Sequence, residues 1–335
     1  MLQEYENKIK ENTQLVTIFL LTHNREYYLK DAVDSILQQS YSNFSLVVLD
    51  NMSTDNTESL IKDYQKIDKR IIYVKRKSNK SYDNTLYAFS ICHTKYIIVF
   101  HDDDIVKKEY LETVLNFMEE NEQYCAISPA AETIDASSNI TGTYRSNKGN
   151  ICYSEGSYFN SHFKKDGPSM IYPAVMYRTE FYKESRLFFI LEAGPASDQY
   201  VWFQTERLNG KLFFLDKILF QYRNHSTQDS AINRYFMDLA LIDFLLSTDY
   251  YKNKIYAIKE YMVQYIWDLF VGISLNYYKG LITPDKYKAF FDYKCVQLVS
   301  KSINARGCLY SVMEKLVWRL KRPLKFTYQV VKNKK

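Results

Sequence analysis

Four short, unbroken apolar runs dominate the first hundred residues: LVTIFLL (15–21), FSLVVLD (44–50), IIYVKR (71–76) and KYIIVF (95–100). They are rich in β-branched residues and do not alternate with polar ones. That pattern belongs to strands buried on both faces, as in a parallel sheet. Between the runs the period changes. After THNREYY, the residues Leu29, Val33, Ile36 and Leu37 fall on one helical face. A second helix follows NMSTDNTESLIKDYQ, where Asp55 and Glu58 have the spacing of an N-cap and its capping-box partner. A third helix is expected through about 83–93. Strand alternating with helix predicts a Rossmann-like, doubly wound α/β domain with a mostly parallel sheet.

Such a sheet binds ligands beyond the carboxyl ends of its strands. The polar residues just past three of those ends are Thr22, His23 and Asn24, then Asp50 and Asn51, then Asp102, Asp103 and Asp104. The last group needs an explanation. Three adjacent carboxylates follow a buried run with no basic residue between them, and burial disfavours their charged forms. Either the triplet is solvated, as a helix start would allow, or a cation sits there.

Further along, 107–121 reads as a helix, YCAISPAAETID as a strand, and 135–170, rich in Ser, Asn, Gly and Lys, as a long loop. IYPAVMYR (171–178) returns to strand character. From about 231 strands give way to helical periodicity. The organisation expected is an N-terminal extension (1–14), an α/β domain (15–230) and a mainly helical C-terminal region (231–335).

The formal charge of +5 is too mild for a dedicated nucleic-acid binder. Five cysteines without CxxC spacing predict free thiols in a reducing compartment, not a disulfide framework or a zinc site. The N-terminus carries charge and no apolar core, and YMVQYIWDLFVGISL is too short and too polar to span a bilayer. These features predict a cytoplasmic protein. The abundance of Tyr and Phe matches that of Lys, Asn and Ile, as codon bias in an AT-rich genome produces. Near the C-terminus, Leu309, Val312, Met313, Leu316, Val317 and Leu320 share one helical face, with Lys315, Arg319 and Arg322 off it and a lysine-rich tail beyond. A basic amphipathic helix over 309–335 fits an anionic membrane surface, or packs on the α/β domain. The helices of 231–300 offer a surface for a homo-oligomer contact.

Four segments, in order, resemble the inverting nucleotide-sugar glycosyltransferases of family 2, which have the GT-A fold. They are VTIFLLTHNREYYLKDAVDSILQQSY, LVVLDNMSTDNT, YIIVFHDDDIV and SDQYVWFQTERLNGKLFFLDKILFQYRNHSTQDS. The resemblance spans about 15–230 and implies a site. Thr22, Asn24, Asp50 and Asn51 would contact the nucleotide, with Asp102 nearer the ribose. Asp103, with Asp104 and His225, would hold Mn²⁺ or Mg²⁺, unless the His225 imidazole meets the diphosphate instead, and Arg223 would pair with phosphate oxygens or simply finish a strand edge. Asp198 would be the general base that deprotonates the acceptor hydroxyl. The donor implied is a nucleotide-sugar, most often a UDP-sugar. The acceptor is a glycan or lipid-linked glycan, in bacterial surface polysaccharide or glycoconjugate synthesis. Three departures stand out: His101 where the family often has Asp, Ser197 where it often has Glu, and NKSYDNTLYA in place of a Gly-rich, Arg-Asn stretch. His23, His93, His101 and His162 read as loop or surface residues. Two rivals share the sheet. A sugar nucleotidyltransferase needs a glycine-rich loop that LTHNREYY lacks, and a non-catalytic nucleotide-sugar-binding subunit would not need Asp198.

Overall fold

The computed structural model describes Asn7 and residues 14–77, 83–144, 146, 148–164, 170–185, 196–225 and 230–297. The chain divides into two compact units, Met1–Leu191 with Ser197–Ser226, and Glu192–Ala196 with Thr227–Lys335. The stretch 309–335 lies outside the described residues.

In the first unit the four apolar runs form β1 (Val16–Thr22), β2 (Phe44–Asp50), β3 (Ile71–Lys75) and β4 (Tyr96–His101). Between them lie α1 (Glu26–Leu37), α2 (Thr57–Ile67) and α3 (Asp83–Ile91). β1 is parallel to β2 and β4, and β2 to β3. The side chains of β1, β2 and β4 are buried on both faces, as the unbroken apolar runs require, while β3 leaves Ile72 partly exposed and Lys75 exposed. Helix α1 turns Leu29, Ala32, Val33 and Ile36 into the core.

The chain continues through β5 (Ile105–Val106), α4 (Tyr110–Glu120), β6 (Tyr124–Ile134), β7 (Ile140–Tyr144), β8 (Ile151–Tyr153) and α5 (Ser157–Lys164). After these come β9 (Met176–Arg178), α6 (Thr179–Glu184), α7 (Ser197–Arg207) and β10 (Lys211–Arg223). The sheet runs β3-β2-β1-β4-β9-β6-β10-β5, with β7 on β6 and β8 on β10. β9 is antiparallel to both β4 and β6, so β6 and its parallel partner β10 keep the direction of the first four strands. The chain order reverses at β1, whose neighbours are β2 and β4, so the switch point of the sheet lies there.

Two local expectations are corrected. The stretch 135–170 is no loop. It holds β7, β8 and α5, but β7 is exposed along most of its length and carries no hydrophobic alternation. Its place in the sheet comes from backbone pairing with β6 and from the Asp135 carboxylate, which accepts from the Ser137 and Asn139 amides. Asp55 and Glu58 do not form a capping box. Asp55 accepts from the amides of Thr57 and Glu26, while the Glu26 carboxylate accepts from the Asn56 amide. The two helix starts cap each other.

The second unit is helical among its described residues: α8 (Ser230–Ser247), α9 (Asp249–Ala257), α10 (Lys259–Tyr278) and α11 (Pro284–Ala289). Leu239, Ile242 and Leu245 of α8 are buried, as are Ile266, Phe270 and Ile273 of α10. Gly272 is required by that packing, since a Cβ there would fall 2.3 Å from the Tyr235 ring. Thr283 caps α11 by accepting the Lys286 amide, with Pro284 in the first turn. Among the described residues no helix is long and apolar enough to cross a membrane, and Cys92, Cys125, Cys152 and Cys295 are free thiols.

Candidate active site

Strand register sets the site. Thr22 pairs with Asp50 across β1 and β2, and Leu21 with His101 across β1 and β4. The carboxyl ends therefore lie level, and the polar residues beyond them share one edge.

On the β2 side, Asp50 is fully buried. Its carboxylate accepts from the Ser53 amide at 2.7 Å and the Tyr73 hydroxyl at 2.5 Å. Burial and the Asp50 charge raise the Tyr73 phenol, which keeps it a donor. Asn51, also buried, donates its amide to the Thr22 carbonyl. The Asn24 backbone is left-handed, with φ 51°. Its side-chain oxygen accepts from the Thr54 amide and its own amide donates to Ser53 Oγ, which fixes the turn ahead of α1.

On the β4 side, Asp102, Asp103 and Asp104 are all buried. The triplet is thus not solvated, and basic groups surround it. Arg25 Nη1 lies 2.6 Å from Asp103 Oδ2 and 3.3 Å from Asp102 Oδ1. His225 Nε2 lies 3.0 Å from the same Asp103 oxygen, with its ring tilted on Tyr28 at 4.9 Å. Burial tends to raise Asp103, but His101, Arg25 and His225 outweigh it and hold the carboxyl below the usual range. Asp102 is pushed up to about 7 by burial and by Asp103. Asp104 is raised well above its ordinary value by the same causes, although it accepts the Arg223 amide at 2.9 Å.

Ligand atoms of His101, Asp103 and Asp104 lie within 4.8 Å of one another. Two carboxylates and an imidazole form a donor set for a divalent cation. His101, for which the sequence suggested no role, therefore stands inside the candidate metal cluster.

The phosphate contact expected of Arg223 does not fit its position. The side chain is 1 % exposed. Nε donates to the Asp103 carbonyl, Nη1 to Ser138 Oγ and the Asp135 carbonyl, and Nη2 to Asp31. The guanidinium also covers the Tyr28 ring. Arg223 is a strut that joins the end of β10, the β6–β7 turn, α1 and the backbone of the triplet.

Asp198 lies half-buried in the first turn of α7. Its charge reaches Tyr172, whose phenol it helps to raise after burial. The Tyr172 ring in turn lies 5.5 Å from that of His101, and its hydroxyl pairs with Thr85. Tyr172 thus bridges the Asp198 side and the β4 end. Sequence reasoning missed Arg25, Tyr73 and Tyr172. Only Arg25 had a signal, as part of the THNREYY stretch that follows β1.

The glycosyl transferase family 2 profile matches residues 17–185. An uncharacterised glycosyltransferase of Haemophilus influenzae is 28 % identical over 233 residues, covering 66 % of this chain and 69 % of its own. Another, from Methanocaldococcus jannaschii, is 26 % identical and covers 81 % of this chain and 90 % of its own. The putative teichuronic acid biosynthesis glycosyltransferase TuaG of Bacillus subtilis is 33 % identical over 116 residues, 34 % of this chain and 45 % of its own. Among solved structures, Staphylococcus aureus TarS 1–349 in complex with UDP-GlcNAc superposes with a TM-score of 0.56 at 17 % identity. The match covers 86 % of this chain and 91 % of that one. A longer TarS chain is covered over 40 % of its length. At that identity the likeness is one of fold.

Proposed function

The chain belongs to glycosyltransferase family 2 and is an inverting glycosyltransferase that uses a nucleotide-linked sugar; on that premise we propose a UDP-sugar donor, a divalent cation and a glycan acceptor. The observation that carries this reading is the meeting, at one sheet edge, of a polar pocket around Asp50 with the buried acid cluster around Asp103.

Thr22, Asp50 and Asn51 recognise the base, and Asp102 stands nearer the ribose. Asp103 and Asp104, with His101 and His225 beside them, hold Mn²⁺ or Mg²⁺. A bound divalent ion supplies positive charge against the leaving diphosphate. The buried triplet supports this assignment, because several carboxylates brought so close favour a cation among them. Asp198 takes the proton of the acceptor hydroxyl as that oxygen attacks the anomeric carbon from the face opposite the diphosphate.

A lipid-linked or surface-glycan acceptor, and a peripheral position on the inner face of the cell membrane, are supported by the basic stretch 309–335 and by TuaG, whose name places it in teichuronic acid synthesis. Co-sedimentation with anionic vesicles should fall when 309–335 is removed, and equal recovery would sink the membrane assignment.

The core test is UDP release from a panel of UDP-sugars with Mn²⁺ and glycan acceptors. Release is expected with one donor and lost in Asp103→Ala. Asp198→Asn should keep UDP binding and lose turnover ~10²–10⁴-fold. No release across the panel, unaltered by Asp103→Ala, would overturn the proposal.

A further inference from the structure

Arg25 stands where a divalent cation would have to compete with it. Its Nη1 is 2.6 Å from Asp103 Oδ2, the oxygen that His225 Nε2 also approaches. A carboxylate oxygen with two N–H neighbours has little lone-pair density left for a metal. A guanidinium and a dication within ~4 Å of each other also repel. The two cations are therefore alternatives at Asp103 Oδ2.

The surroundings favour exchange by a side-chain swing. The Arg25 side chain is 26 % exposed, against 5 % for its two carboxylate partners, so it reaches in from the solvent side. Arg223 shows the contrast, at 1 % exposed and bonded to three other segments, the triplet backbone, the β6–β7 turn and α1. The backbone under Arg25 is fixed. Its carbonyl accepts the amides of Tyr28 and Leu29, and Asn24 before it is held by Ser53 and Thr54. Rotation about the Arg25 side-chain bonds frees Asp103 without moving the turn. A new partner is close at hand. Neighbouring oxygens on one octahedral ion of this size lie ~3 Å apart, from ligand distances of ~2.1 Å. A phosphate oxygen brought to an ion on Asp103 is thus within a small side-chain movement of Arg25, and a planar guanidinium suits phosphate.

We propose that Arg25 is an exchangeable counter-cation: it holds Asp103 until a divalent ion and a nucleoside diphosphate arrive together, then yields the carboxylate and takes a phosphate oxygen. The inference rests on the metal and nucleotide reading above. It makes ion and nucleotide bind cooperatively, since a phosphate oxygen offsets the contact to Asp103 that Arg25 gives up to the ion.

The test is Mn²⁺ binding to the full chain, with and without UDP, read from loss of the six-line spectrum of free Mn²⁺. UDP should tighten Mn²⁺ binding to the wild type ~10–100-fold, and by linkage Mn²⁺ should tighten UDP equally. Arg25→Gln should bind Mn²⁺ alone ~10-fold more tightly than the wild type and lose most of the UDP effect. Arg25→Lys keeps a positive charge and guards against misfolding as an explanation; it should bind Mn²⁺ alone more weakly than Arg25→Gln. An Arg25→Gln variant that binds Mn²⁺ alone no better than the wild type, or keeps the full UDP effect, overturns the exchange. Asp103→Asn separates the underlying reading: if it binds Mn²⁺ with UDP as the wild type does, the metal assignment itself fails, and the exchange with it.

Discussion

Asp50 and Asp103 end up on either side of the same central strand, yet the protein treats them in opposite ways. Both are buried. Asp50 closes β2 and is met by two neutral donors, the Ser53 amide and the Tyr73 hydroxyl. Asp103 lies just past β4 and is met by Arg25 and His225, with His101 adding its field. Neutral donors fix a carboxylate in place and leave its remaining lone pairs to a ligand. Cations balance its charge, so an arriving ion must replace them. On the function proposed above, one sheet edge carries a rigid recognition pocket and an exchangeable charged one, separated by β1.

The largest test of that division sets Asp103→Asn against Asp50→Asn. Loss of the charged pocket should cut kcat ~10³-fold, the scale of a lost electrostatic contact to a leaving group. Loss of the neutral pocket should raise the donor KM ~10–100-fold and leave kcat within a few-fold, as removal of a ground-state hydrogen bond does. Steady-state kinetics across donor concentrations separates the two. Equal losses of kcat would erase the distinction.

A smaller effect probes the neutral pocket alone. Tyr73→Phe leaves one oxygen of fully buried Asp50 without its donor, at a cost of ~1–3 kcal/mol. The urea midpoint should fall and the donor KM rise, with kcat unchanged. Mn²⁺ binding should not respond. A variant with altered Mn²⁺ affinity would mean that the two pockets are coupled through β1.

The same contrast explains what the sequence disclosed. Strands β1 to β4 were legible because burial on both faces demands unbroken apolar runs, and those runs placed Thr22, Asp50 and the triplet at one edge. Backbone-determined elements were hidden. β5 has two residues, and β7 is paired through its main chain with its side chains in water. Partnerships across the sheet were hidden too. Tyr73 reaches Asp50 from 23 positions away, and Arg25 reaches Asp103 from 78. His101 looked like a surface histidine because its neighbours in space, not in sequence, make it a candidate ligand. Asp55 and Glu58 matched a local pattern, but Asp55 found its partner on the other helix.

Glu58, released from that pattern, supplies the smallest and cleanest contrast. It is partly exposed, and it meets Lys62 at 2.6 Å and Lys75 at 2.9 Å. Those lysine contacts outweigh a small burial effect and draw its carboxyl from 4.5 down to about 2. A lowered carboxyl stabilises the fold above its ordinary value, and that stabilisation disappears as pH falls through about 2. Glu58→Gln should therefore be less stable than the wild type at neutral pH, by ~0.2–1 kcal/mol as for exposed pairs. The gap should close toward pH 2 and shrink in ~1 M salt, where screening is strong. Thermal melts of both proteins across that pH range measure the gap directly. The Tyr73→Phe deficit, arising from a buried and neutral donor, should persist in the same salt. If both deficits shrink alike, the Asp50 pocket is governed by charge after all, and the two sides of the edge differ in degree only.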